Sequence, residues 1–169
     1  MTTKPKLADL KYKQSRTGFT LVELLIVIAI LAILSTLGIG NFQSARIKAR
    51  DIGRKSDLQT IAKSLEAYVN DHGNYPLSDS NGKIICKSGN TICDWGTPLV
   101  DDNDTVYVSR LPIDSSGSVY KYISNGTSYT LYAHLENNND PSIATFNPTV
   151  TCGSTTILCN YKHTSSNLQ

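Results

Sequence analysis

The stretch Ser15–Leu34, "SRTGFTLVELLIVIAILAIL", decides the fold. From Phe19 to Gly40 the chain carries a single charge, Glu23, and from Leu24 to Leu34 every residue is apolar. At about 1.5 Å of rise per residue, a helix over 19–40 spans roughly 30 Å, the thickness of bilayer hydrocarbon. The run therefore reads as a membrane helix. A removable secretory signal is the rival reading, since a basic leader and an apolar core fit its first two regions. That reading needs a small-residue cleavage site after the core, and "LSTLGIGNF" is a poor one. Glu23 is the anomaly. A carboxylate inside a bilayer costs about 2.5–3.5 kcal/mol on insertion scales, so such residues usually face a partner. The alternative is a shallow interfacial glutamate that reaches the headgroups or is protonated.

Working outward, the 169 residues suffice for an anchor and one globular head. The overall charge of +2 conceals a segregation. Residues 1–18 carry a net +4, residues 46–55 another +4, and everything after Lys55 a net −5. Five Lys/Arg precede the apolar run and five follow closely, so the positive-inside rule gives no orientation. The cysteines do. Cys86, Cys93, Cys152 and Cys159 form two identical C-x6-C spacings, "CKSGNTIC" and "CGSTTILC", which suit an oxidising compartment and place the C-terminal part outside the cytoplasm. Zinc is the alternative, but structural zinc pairs usually have two to four intervening residues. Pairing within each spacing is the simplest of three disulfide connectivities, and the sequence leaves the other two open.

After the apolar run the pattern continues as helix. Leu58, Ile61, Ala62, Leu65, Tyr68 and Val69 fall on one stripe, Asp57, Lys63, Ser64, Glu66 and Asn70 lie off it, and Gly73 followed by Pro76 is a stop signal. Gly38, Gly40 and Gly53 are its weak points, at about 1 kcal/mol each relative to Ala. Beyond Pro76 the texture changes to short strands and polar loops. In "SVYKYISNGTSYTLYAHLE", Tyr120 and Tyr122 alternate with Val119, Lys121 and Ile123, Asn125-Gly126 supplies a turn, and Tyr129, Leu131, Ala133 and Leu135 line one face of a return strand, a β-hairpin. "TVYVSRL" and "TILCNY" are further strand candidates, and "SDSNGK", "VDDNDT" and "ENNNDPS" read as loops. The expected class is α+β: a long N-terminal helix packed on a small antiparallel sheet.

The basic leader, Gly18, Phe19-Thr20-Leu21-Val22-Glu23, the apolar helix and an amphipathic helix ending in "NDHGNYP" together resemble a prepilin of the type IV pilin superfamily. Within it, "LEAYVNDHGNYP" and, more loosely, "LPIDSSGSVYKY" are similar to the major pseudopilin of type II secretion systems. The segment 79–110 and the tail from Ser142 match nothing in that pattern, and paired cysteines are more pilin-like than pseudopilin-like. The resemblance implies four regions: a cytoplasmic leader over 1–18, a transmembrane and assembly helix over 19–40, a stem over 41–73 and a β-rich extracytoplasmic head over 74–169. It implies that a prepilin peptidase cuts between Gly18 and Phe19 and methylates the new amino group of Phe19; a residue without a side chain also suits close approach to a catalytic site. It implies that Glu23 pairs with the terminal amine of a neighbouring subunit during assembly. Many family members have Pro where this chain has Gly40, so flexibility there would come from glycine.

The partners so implied are further copies of the chain, the peptidase, an assembly ATPase, an inner-membrane platform protein and minor pilins or pseudopilins, at a bacterial inner membrane and then in a periplasmic or surface filament. The chain has no phosphate-loop motif of its own, and His72, His134 and His163 are scattered without metal-ligand spacing, so an enzyme is the disfavoured reading. Calcium is the one cofactor the resemblance suggests. Asp101, Asp102 and Asp104 in one loop and Glu136, Asn138 and Asp140 in another offer hard oxygen ligands, though neither loop has the EF-hand glycine or closing glutamate. Arg46, Arg50 and Arg54, with Lys48 and Lys55 beside them, form a basic face of the kind DNA-uptake pilins would use; without aromatic platforms it reads more naturally as a surface that, inside a filament, meets acidic residues of neighbouring subunits.

Overall fold

The computed structural model describes residues 18–153 and 156–166, with the backbone alone at 36–41. The chain divides into two compact units, Met1–Phe42 and Gln43–Gln169. Helix α1 (Leu21–His72) begins in the first and ends in the second.

In the first unit α1 starts after Thr20, and its described large apolar side chains up to Leu34 are exposed, from Val27 at 46% to Leu21 at 78%, as is Phe19 before it. Burial within the chain therefore does little to stabilise this described part of the helix. The wholly apolar stretch Leu24–Leu34 amounts to about 16 Å of rise, and among the described residues no helix is long and apolar enough to cross a membrane. The expected span over 19–40 includes 36–40, whose side chains lie outside the described residues, as do residues 1–17 of the expected leader and the environment of Gly38 and Gly40.

In the second unit α1 presents the stripe read from the sequence. Leu58, Ile61 and Leu65 are wholly buried, Ala62 nearly so, and Val69 packs at the margin. Ser64, placed off the stripe by its polarity, is buried as well, because its hydroxyl donates to the Ile61 carbonyl at 2.7 Å. The helix closes as its stop signal predicts: Gly73, at φ 76°, donates its N–H to the Val69 carbonyl at 2.7 Å.

Among the described residues, eight short strands cover this stripe in three antiparallel sheets. β1 (Leu77–Ser78), β2 (Ile84–Lys87) and β3 (Thr91–Cys93) form the first, β4 (Leu99–Val100) and β5 (Val106–Val108) the second, and β6 (Lys121–Ser124), β7 (Tyr129–Ala133) and β8 (Tyr161–Thr164) the third. The expected hairpin is β6–β7, in register Tyr122↔Leu131, with Tyr122, Tyr129, Leu131 and Ala133 facing the core. Its connection is wider than an Asn-Gly turn: the Asn125 side-chain oxygen accepts from the N–H groups of Thr127 (3.1 Å) and Ser128 (2.9 Å) and so builds a four-residue loop. "TVYVSRL" supplies β5, whereas "TILCNY" supplies only a bridge, Thr151↔Leu158, before β8 begins at Tyr161. The first and third sheets are joined by the Tyr122 N–H on the Gly82 carbonyl (2.8 Å) and the Tyr75 N–H on that of Gly126 (2.8 Å).

Tyrosines solve a problem that these small sheets create, that of filling a core while keeping polar tips satisfied. Tyr120 and Tyr122 have fully interior rings, but their hydroxyls donate to Asp57 at 2.6 Å and to the Pro76 carbonyl at 2.6 Å. Tyr75 donates to Glu66 at 2.9 Å. For Tyr120 and Tyr75 the polar flanks of the helical stripe are thus the acceptors, and for Tyr122 the backbone just past the helix is.

Candidate functional site

The first candidate site is the open end of α1. Gly18, Phe19 and Thr20 precede the helix and are exposed. A side chain at Gly18 would meet nothing within 4 Å, so packing does not explain a glycine there. Thr20 and Glu23 form a reciprocal pair: the Thr20 N–H and hydroxyl each donate to Glu23 Oε2 at 2.8 Å, and the Glu23 N–H donates to Thr20 Oγ1 at 3.2 Å. This is a capping box, which satisfies donors at a helix start that have no intrahelical partner. Its signature in the sequence is Thr-x-x-Glu ahead of an apolar run, where the cost of a charge in an apolar segment is the more conspicuous feature of the same glutamate.

The second candidate site is the charged seam between α1 and the connections of the head. Asp51, 2% exposed, accepts the Glu136 N–H at 2.9 Å and the Asn137 N–H at 2.8 Å. Arg54, equally buried, donates to Asp51 at 2.5 Å, to Asp114 at 2.7 Å, to Ser116 at 2.6 Å and to Glu136. Arg50 grips the same Glu136 with two donors. Lys55 Nζ meets both Asp140 oxygens at 2.8 Å and Ser142 Oγ at 2.6 Å. The electrostatic consequences follow the contacts. The Arg50 guanidinium, with that of Arg54, holds Glu136 at about 2, well below its usual 4.5, and Lys55 with Ser142 holds Asp140 at about 2. Burial works against the Arg54 charge, but its carboxylate partners outweigh that and push its pKa up.

The six residues expected as calcium ligands are divided between two loops with different work. In the β4–β5 connection, burial opposes ionisation of Asp101, but N–H groups of Thr105 and Asn103 prevail and hold it at about 2. Its other oxygen meets His72 Nε2 at 3.1 Å, while Asp102 accepts from Ser88 and Asp104 from Lys87. In the second loop Glu136 and Asp140 take the contacts above, and Asn138 is exposed. Among the described residues no group of three His, Cys, Asp or Glu is placed to hold a metal ion.

The other candidates are placed as follows. Cys86 and Cys93 are joined across the β2–β3 hairpin, with Cα atoms 5.7 Å apart, and Cys152 is joined to Cys159 at 5.1 Å. His134 Nδ1 meets the Leu158 carbonyl at 2.7 Å, His72 stacks on Tyr68, and His163 lines an open groove of about 480 Å³ beside Lys63, Glu66 and Tyr129. Of the basic face, Arg50, Arg54 and Lys55 point into the head's own carboxylates, and Lys48 is exposed.

This arrangement defines a class: a helix-led chain whose apolar leading end stands open and whose head is tied to the following half of the helix. Residues 13–39 match the family model for the prokaryotic N-terminal methylation motif. The chain is 30% identical over 116 residues to the type II secretion system core protein G of Pseudomonas aeruginosa, covering 68% of this chain and 78% of that one. It is 29% identical over 123 residues to the core protein G of Vibrio cholerae, covering 72% and 80%, and 28% identical over 110 residues to that of Escherichia coli, covering 64% and 72%. No solved structure matches. The chain belongs to the type II secretion system core protein G family.

Proposed function

We propose that the chain is the structural subunit of a type II secretion pseudopilus, made as a precursor, cut between Gly18 and Phe19, methylated at Phe19 and polymerised through its apolar helix. The observation that carries this is the placement of Gly18-Phe19-Thr20-Leu21-Val22-Glu23 at the open start of α1, inside the region matched by the methylation family model. In this reading residues 1–18 are the leader, 19–40 the membrane and assembly helix, 41–73 the stem and 74–169 the extracytoplasmic head. Exposed leucine, isoleucine and valine on every side of α1 before Ser35 suit first lipid and then neighbouring helices. Glu23 acts twice: it caps its own helix through Thr20, and after cleavage its carboxylate accepts the terminal amine of an adjacent subunit. The peptidase, an assembly ATPase, a platform protein and minor subunits complete the machine, since the chain carries no phosphate loop with which to drive its own extraction.

The two disulfide-closed loops of the head favour one second reading, a subunit of a surface type IV pilus used for adhesion, motility or DNA uptake. Deleting the gene separates them. Loss of secretion of folded proteins with surface fibres intact is the result expected for a pseudopilin; loss of fibres with secretion unchanged would replace it with the pilin reading.

A further inference from the structure

The family resemblance implies a divalent cation in the head's acidic loop, and the residues of this chain do not fit one. A calcium ion takes six to eight oxygens at about 2.3–2.6 Å. The loop 136–142 offers two carboxylates, Glu136 and Asp140, and each is engaged by cations of α1. Both Asp140 oxygens and Ser142 Oγ lie 2.6–2.8 Å from Lys55 Nζ, so the three donors of one ammonium face three acceptors. Glu136 is gripped by the forks of Arg50 and Arg54. The charges that meet along this seam are Asp51, Asp114, Glu136 and Asp140 against Arg50, Arg54 and Lys55, which leaves a single net negative charge to attract a divalent ion. Such an ion at Asp140 would also have to displace an ammonium already in contact, or sit beside it at a repulsive distance.

We propose that Lys55 is a built-in cation: its ammonium on Asp140 and Ser142, with Arg50 and Arg54 on Glu136, fastens loop 136–142 to α1 in place of a metal, so that the head holds this loop without calcium. The loop is pinned at both ends, by Asp51 on the N–H groups of Glu136 and Asn137 and by Lys55 on Asp140 and Ser142, and the Lys55 ammonium also lies 5.4 Å from the centroid of the Tyr161 ring.

The test uses the full-length chain in detergent, with no assembly readout. Thermal unfolding is followed in chelator and in millimolar calcium, and amide hydrogen exchange is followed over 136–142 in the wild type and in Lys55→Met, which keeps the aliphatic stem and removes the charge. The wild-type Tm is expected to agree within about a degree in the two solutions. Lys55→Met is expected to lose Tm on the order of 2–6 °C for a head of this size and to exchange faster in the loop while the strands β6 and β7 stay protected. A wild-type Tm that falls in chelator or rises with calcium overturns the proposal, as does unchanged loop exchange in Lys55→Met. Should the variant not fold, the wild-type comparison alone decides.

Discussion

Arg54 is the residue on which the seam turns. Its buried guanidinium serves three carboxylates and a serine hydroxyl, from α1, from the Asp114–Ser116 turn and from the loop at Glu136. Removing one partner of a buried ion pair leaves the others charged and unmatched, at a cost of about 3–5 kcal/mol. Arg54→Ala should therefore lower the urea unfolding free energy of the chain by about that amount, whereas Lys48→Ala, at an exposed position on the same helix, should change it by less than about 0.5 kcal/mol. Arg54→Lys keeps the charge but not the planar fork, and should fall between them. The sequence marked Arg54 as one basic residue among five. Its burial was not legible, because the partners Asp114 and Glu136 lie 60 and 82 positions away and no local pattern encodes them.

At the scale of elements, what could be read followed periodicity. The stripe Leu58, Ile61, Ala62, Leu65 and the alternation through Tyr120, Tyr122, Tyr129 and Leu131 each state which face is buried, and those faces meet in the core. β1, β3 and β4, of two or three residues, have no period to detect, and the four-residue β2 alternates in burial although its sequence, Ile-Ile-Cys-Lys, does not alternate in polarity. The loop 136–142, whose sequence offers candidate calcium ligands, is tied to α1 through Glu136 and Asp140. That tie sets a pH dependence. Both carboxylates titrate near 2 when folded, against usual values of 4.5 and 3.8, so over this window the unfolded chain binds more protons. Their contribution is complete above about pH 5 and is lost as pH falls towards 2. Stability measured by urea titration should be flat through neutrality and decline below about pH 4.5, and Glu136→Gln should shallow that decline; a variant with an undiminished acid slope would remove Glu136 from the account.

For the whole molecule, the segregation of charge along the chain proves to be an internal matter in its second half. The basic stretch 46–55 and the acidic head, which by composition invited nucleic acid or calcium, satisfy each other through Arg50, Arg54 and Lys55. Among the described residues of the first unit no such closure is seen: the apolar side chains of 19–34 stand exposed, and Glu23 takes its hydrogen bonds from Thr20. The specific leader motif makes the family legible from residues 15–23, whereas the capping role of Glu23 emerges from its hydrogen bonds with Thr20. That double role makes the central claim testable with one pair of variants. Glutamine at the third helical position still accepts the cap hydrogen bonds, so Glu23→Gln removes the charge and keeps the cap, while Glu23→Ala removes both. Filament yield is measured by electron microscopy of cells that assemble the wild-type chain, with cleavage after Gly18 and methylation of Phe19 checked by mass spectrometry. The account predicts cleaved, methylated subunits and no filaments from either variant, because assembly needs the carboxylate charge. Filaments from Glu23→Gln at the wild-type level would contradict it, and would leave Glu23 as a helix cap alone.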